Sequence, residues 1–192
     1  MEKCTHLINY YQQVYKRILT DEEKKLINTS FRKQTIKKKE IIFRSGQKNT
    51  RHYFVGKGLL RLYVIDVAGK EFNVLFASEN QWIGDLATPD ETSFFLDAIE
   101  KSNVYSISDE NINKLTNNFS SLVNYIKRAY IFLQKRLVSI LVNTAEENYK
   151  ELYNNSPELI QRLPQYHISS YLGVTPVFLS KILAKQARKK TE

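Results

Sequence analysis

The chain has 192 residues, 42% hydrophobic and 26% charged, which is ordinary globular usage and enough for one large domain, or a medium and a small one. No apolar run reaches the roughly 18 residues of a membrane-spanning helix, and the N-terminus lacks the layout of a signal peptide. Cys4 is the single cysteine, which excludes an internal disulfide or a thiolate metal cluster, so a cytoplasmic protein is expected. The net charge of +9 is unevenly spread: residues 1–60 hold 14 basic and 5 acidic side chains, residues 61–119 hold 4 and 10, and residues 120–192 hold 11 and 5. A basic C-terminal third fits a polyanionic partner, and equally a solvated surface.

In chain order, residues 7–27 read as helical, with Thr20 ahead of Asp21-Glu22-Glu23 as an N-cap and an acidic first turn. From Thr35 to about Ser108 the texture is that of strands. Glu40 to Phe43, His52 to Val55, Leu59 to Asp66, Glu71 to Ala77, Phe94 to Ala98 and Val104 to Ile107 are β-branched and aromatic runs. Turn signals about every eight to twelve residues predict an antiparallel sandwich or barrel. Lys37-Lys38-Lys39 reads as a solvated strand entry. Gly56-Lys57-Gly58 reads as a hairpin turn rather than a phosphate loop, and Val67 to Lys70 as a second turn.

Beyond Ser108 no glycine occurs until Gly173, and the period becomes helical. Val123, Ile126, Tyr130, Leu133, Leu137, Ile140 and Thr144 are spaced alternately three and four apart, a heptad seam. Leu122, Ala129, Phe132 and Leu141 form a second apolar set beside it. Such a helix is either buried in one domain or shared between subunits. With no second matching helix in the chain, pairing with its own copy is favoured.

The stretch Gln165 to Ala184 is the most specific. Ile168, Leu172, Val174, Leu179 and Ile182 are apolar, Gly173 can end a first helix at positive φ, and Thr175-Pro176 can open a second as N-cap and N1. This is a helix-turn-helix pattern. The second helix would show Val177, Phe178, Ser180, Lys181 and Lys185 on its outer face, and no acid occurs from Leu163 to Thr191. An ordinary helical hairpin with a basic face is the plainer alternative.

Enzyme chemistry finds no support. His6, His52 and His167 lie on three different elements without metal-ligand spacing, and no nucleophile stands in an elbow motif. A cupin-type site needs several ligands, and only His52 lies in the strand region. His167 is expected to meet phosphate or solvent, and Trp82, Phe94 and Phe95 read as core rather than as a ligand cage.

Residues 10–190 together resemble the CRP/FNR family of bacterial transcription regulators. The resemblance rests on Ile42-Phe43-Arg44-Ser45-Gly46-Gln47, Tyr53-Phe54-Val55-Gly56-Lys57-Gly58, Gly69-Lys70-Glu71, Gln81-Trp82-Ile83-Gly84-Asp85-Leu86 and Leu163 to Leu183. It implies an α+β chain: a cyclic-nucleotide-binding-type antiparallel β-barrel of jelly-roll type (1–109), a dimerisation helix (110–144) and a helix-turn-helix domain (145–192).

Three departures qualify the resemblance. Family members that bind cyclic AMP follow a Gly-Glu-Leu segment with Arg-Ser/Thr-Ala. Here Gly84-Asp85-Leu86 is followed by Thr92-Ser93-Phe94, and no arginine lies between Asp66 and Lys101. The cysteines of the iron–sulfur branch are missing, and no clear wing follows the second helix.

The expected function is that of a homodimeric DNA-binding regulator rather than an enzyme. Gln165, Tyr166, Ser170 and Thr175 would position phosphates; Val177, Phe178, Ser180 and Lys181 would meet bases, and Lys185 the backbone. The expected partners are double-stranded DNA, a second copy of the chain and RNA polymerase, with no membrane. No cofactor is expected. Gly84, Asp85, Leu86, Thr92 and Ser93 mark the effector site, for which cyclic AMP is not the expected ligand. A neutral or apolar molecule against Trp82, Phe94 and Phe95, or no ligand at all, both remain. A regulatory barrel acting by protein contact without specific DNA binding is the alternative function.

Overall fold

Two helices open the computed structural model, which describes residues 3–48, 51–85, 91–116 and 121–189. They are α1 (Thr5–Tyr15) and α2 (Asp21–Ser30). The start of α2 is fixed locally, as the sequence implies. The Thr20 hydroxyl accepts from the Glu23 amide while the Glu23 carboxylate accepts from the Thr20 amide, a reciprocal capping box.

Eight strands follow: β1 (Arg32–Ile36), β2 (Ile41–Phe43), β3 (Arg51–Lys57), β4 (Leu60–Ile65), β5 (Glu71–Ala77), β6 (Trp82–Ile83), β7 (Phe95–Ala98) and β8 (Ser102–Ser108). They form two four-stranded sheets, ordered β1-β8-β3-β6 and β2-β7-β4-β5. Ile36, Phe43, Tyr53, Val55, Leu60, Leu62, Ala77, Ile83, Leu96, Ala98 and Val104 make one core, so every strand contributes an inward side chain. Strand alternation turns Phe54, Tyr105 and Ile107 to the opposite face, where they pack with Leu7, Ile8, Tyr11 and Ile27 of the two helices. The expected antiparallel jelly-roll barrel is present.

The structure differs from the sequence reading at two places in these sheets. Strand β1 was not foreseen, because Arg32-Lys33-Gln34-Thr35 is polar; it is an outer strand that pairs with β8 alone and buries only Ile36. Gly56-Lys57-Gly58 is not a hairpin turn, since β3 and β4 lie in different sheets. The chain turns a corner there, with Gly58 at φ +109 and Ser102 where a Cβ would stand. The β4–β5 turn is as expected: Asp66 Oδ1 accepts from the amides of Ala68 and Lys70, and Gly69 takes positive φ.

The rest is helical: α3 (Asp109–Thr116), α4 (Ser121–Val142), α5 (Ala145–Asn155), α6 (Pro157–Arg162), α7 (Gln165–Tyr171) and α8 (Pro176–Lys189). Of the helix expected over 110–144, α3 and α4 are described, and residues 117–120 lie outside the described residues. Thr144 leaves the seam, because it caps α5 in a second capping box with Glu147. None of the described helices is long and apolar enough to cross a membrane.

Contacts divide the chain into two units, Met1–Val64 with Leu75–Arg128, and Ile65–Val74 with Ala129–Glu192. The first holds the barrel core. The second holds the C-terminal helices and also the tip of the β4–β5 hairpin.

Candidate functional site

In the C-terminal unit, α7 and α8 form the helix-turn-helix. Ile168, Leu179 and Ile182 are buried between them. Gly173, at φ +71, ends α7; its amide donates to the Ser170 carbonyl and the Val174 amide to that of Ser169. The Thr175 hydroxyl then accepts from the Phe178 amide at 3.2 Å, and Pro176 takes the first helical position. Leu179 and Ile182 face inward, so the opposite side of α8 is open. Val177 is 68% and Phe178 49% exposed, and Ser180 and Lys181 are exposed beside them. At the other end of the pair, Gln165 and Tyr166 are exposed at the start of α7. Among the described residues no strand follows α8.

Three residues, Lys185, Ser170 and His167, lie differently from the sequence reading. Lys185 Nζ is 2.7 Å from a Glu146 carboxylate oxygen on α5, so it is not an open phosphate contact. Ser170 turns its hydroxyl to the hairpin, donating to the Glu71 carbonyl at 2.8 Å and accepting from the Asn73 amide at 3.0 Å. His167 is buried, with its carbonyl and Nδ1 facing the Asn73 side-chain amide at 2.9 and 3.3 Å. Ser180 donates to the Pro176 carbonyl at 3.0 Å, although it remains exposed. Asn73 was missed because a polar residue inside the strand run Glu71 to Ala77 looks like a solvent-facing one. A polar residue 4% exposed between Phe72 and Val74 finds its partners 94 residues away, and no local signal announces them.

Arg136 of α4 was also missed. Its guanidinium lies 3.5 Å over the Tyr171 ring and donates to the Tyr171 carbonyl at 2.8 Å. Burial holds Arg136 below the usual guanidinium range and raises the Tyr171 phenol.

Helix α4 presents Tyr130, Leu133, Leu137 and Ile140 as an exposed seam with the expected three-and-four spacing. Ile131, Phe132, Val138, Leu141 and Val142 widen the apolar surface. The side chains of Val123 and Ile126 lie outside the described residues. A face this apolar in water is unusual unless something covers it.

The effector candidates do not form a receptive anion site. Asp85 is buried and accepts a 2.6 Å bond from the Thr92 hydroxyl, which in turn accepts from the Phe94 amide. Ser93 is exposed, Gly84 lies against the Arg51 backbone and His52, and Leu86 lies outside the described residues. Trp82, Phe94 and Phe95 do not converge on one pocket. Trp82 packs with Phe31 and Phe54, Phe94 joins the barrel core, and Phe95 stacks on Tyr63 at 5.2 Å.

Arg61 is paired opposite Asp97 in the β4–β7 register, with Nε–Oδ1 at 3.0 Å and Nη2–Oδ2 at 2.5 Å. Leu60, Leu62, Leu96 and Ala98 point into the core, so this pair points away from it. Arg51 donates to the Ser106 hydroxyl at 3.0 Å. Among the described residues no cluster of three His, Cys, Asp or Glu side chains could hold a metal ion.

Residues 33–119 match the cyclic nucleotide-binding domain family. The fumarate and nitrate reduction regulatory protein of Vibrio cholerae is 26% identical over 170 residues, 80% of this chain and 68% of that protein. A CooA variant from Carboxydothermus hydrogenoformans is similar in fold, with a TM-score of 0.72 at 16% identity over 93% of this chain and 84% of that one. So is a structure described as a putative CRP/FNR-family transcriptional regulator from Eubacterium rectale, with a TM-score of 0.67 at 16% identity over 94% and 88% of the two chains.

Proposed function

We propose that the chain is a regulator of the CRP/FNR type, whose fold it shares and whose cyclic nucleotide-binding domain it matches over residues 33–119, and that it acts as a homodimer that binds a two-fold symmetric DNA site. The observation that carries this reading is the outer face of α8. Val177, Phe178, Ser180 and Lys181 are exposed on a helix that starts at a capped turn, within a stretch free of acid from Leu163 to Thr191.

Val177 and Phe178 cannot donate hydrogen bonds, so they suit thymine methyl groups, whereas Lys181 suits a guanine edge. Gln165 and Tyr166 at the start of α7 serve the phosphate backbone. The seam of α4 pairs two copies, which sets their recognition helices about 34 Å apart, one turn of DNA. Contact with RNA polymerase belongs to the same reading.

The barrel's ligand, on this reading, is not cyclic AMP. A cyclic phosphate needs a cation where it is buried, and Arg61 already serves Asp97. Asp85 adds a buried carboxylate to the very segment that would have to receive the phosphate. A neutral or apolar molecule is the better occupant.

Fluorescence anisotropy on DNA fragments selected by the wild-type protein tests the reading. Lys181→Ala is expected to cost about 1–3 kcal/mol and to relax specificity at one position in each half-site. Unchanged affinity at moderate salt would remove α8 from the interface.

A further inference from the structure

Helices α5 and α8, both in the C-terminal unit, flank a groove of about 520 Å³ whose lining includes Thr144, Glu146, Glu147, Lys150 and Gln186. Glu146 reaches out of this lining to Lys185 of α8, with the carboxylate and the ammonium 2.7 Å apart. Both ends of the pair are set by their helices. Glu146 stands in the first turn of α5, where the helix dipole favours a carboxylate. Its neighbour Glu147 is committed to the capping box, accepting from the Thr144 amide at 2.7 Å and from the hydroxyl at 2.8 Å. Glu146 is thus the acid of this turn that faces α8. Lys185 follows the exposed Lys181 by four residues, one turn along the same side of the helix.

An ion pair whose side chains are 58% and 33% exposed adds little to folding. Its consequence is one of charge. The stretch from Leu163 to Thr191 holds no acid of its own, so Glu146 is a carboxylate brought to it from another helix. A lysine displaces counterions from DNA only when it is free to face a phosphate. Lys185 must give up Glu146 first, and the carboxylate left behind repels the same phosphate.

We propose that Glu146 withholds Lys185 from the DNA backbone, removing one phosphate contact per protomer and weakening the sequence-independent part of binding. The hold on DNA then depends more on the base contacts of the Val177 to Lys181 face, and unrelated sequence is released at lower salt. The consequence for DNA rests on the function proposed above; the withheld charge does not.

The test compares the full-length wild-type protein with Glu146→Gln, and with Glu146→Gln combined with Lys185→Ala. Binding to duplex DNA of random sequence is followed by fluorescence anisotropy over a salt series. Glu146→Gln is expected to bind about tenfold more tightly near about 0.1 M salt, and its log affinity to fall more steeply with log salt by about 0.9 per protomer. The double variant has the wild-type net charge and is expected to return to the wild-type slope. A wild-type slope in Glu146→Gln overturns the proposal. So does a steeper slope that survives in the double variant, because the effect then does not pass through Lys185. Immobilised heparin, a polyanion without bases, gives a second reading: Glu146→Gln is expected to elute at higher salt than the other two proteins. A wild-type protein that binds no duplex at low salt refutes the function proposed above, while the heparin elution still decides the role of Glu146. Equal elution of Glu146→Gln and the wild-type protein overturns it.

Discussion

Replacing Leu133 by alanine tests the pairing of two copies through α4. Leu133 sits within the exposed seam and is 50% exposed in one chain. Fully burying a leucine side chain contributes about 1.5–3 kcal/mol, so covering the remaining half contributes about 1 kcal/mol. A two-fold interface uses the residue twice, which brings the loss to about 2 kcal/mol, or about thirty-fold in the dimer dissociation constant. Alanine is the stronger helix former, so α4 itself is not weakened. Sedimentation equilibrium from nanomolar to high micromolar concentration measures the constant directly, and circular dichroism checks that the helix content is kept. A dissociation constant within twofold of the wild-type value, or a wild-type protein that stays monomeric throughout, would refute the reasoning. Leu133→Lys goes further and sets two charges against each other in a desolvated seam, where dissociation is expected to be complete at micromolar concentration.

Asp97→Ala is expected to destabilise the barrel by about 3–5 kcal/mol in urea unfolding, because it breaks a buried ion pair by removing the carboxylate that faces the Arg61 guanidinium; a loss below about 1 kcal/mol would mean that water reaches the pair. Isothermal titration with cyclic AMP is expected to give no binding heat. Low-micromolar binding that disappears in Arg51→Ala would overturn the exclusion and identify Arg51 as the missing cation.

What could be read from the sequence was what is decided locally. Thr20 with Glu23, Gly173 and Thr175-Pro176 define helix ends through groups three or four residues apart, and each stands where the pattern implies. The barrel strands showed where they alternate into a core. β1 escaped because an outer strand buries little, and its polar residues look like a loop. The Thr144–Glu147 box was hidden inside a heptad that ran one position too far. Asn73, His167, Ser170 and Arg136 escaped for a different reason: their roles come from contacts between elements 35 to 99 residues apart. Arg61 and Asp97 carried a signal that could have been used. Each interrupts an apolar alternation, and their opposite charges meet in register.

The central claim, that α8 of a symmetric dimer reads DNA, is tested most directly by selecting bound fragments from a pool of random duplex DNA with the full-length protein. The account predicts enrichment of an inverted repeat whose half-site centres lie about 10 base pairs apart, with thymine and guanine prominent in each half-site. Recovery of fragments with no shared sequence, or of a single unrepeated motif, would contradict it.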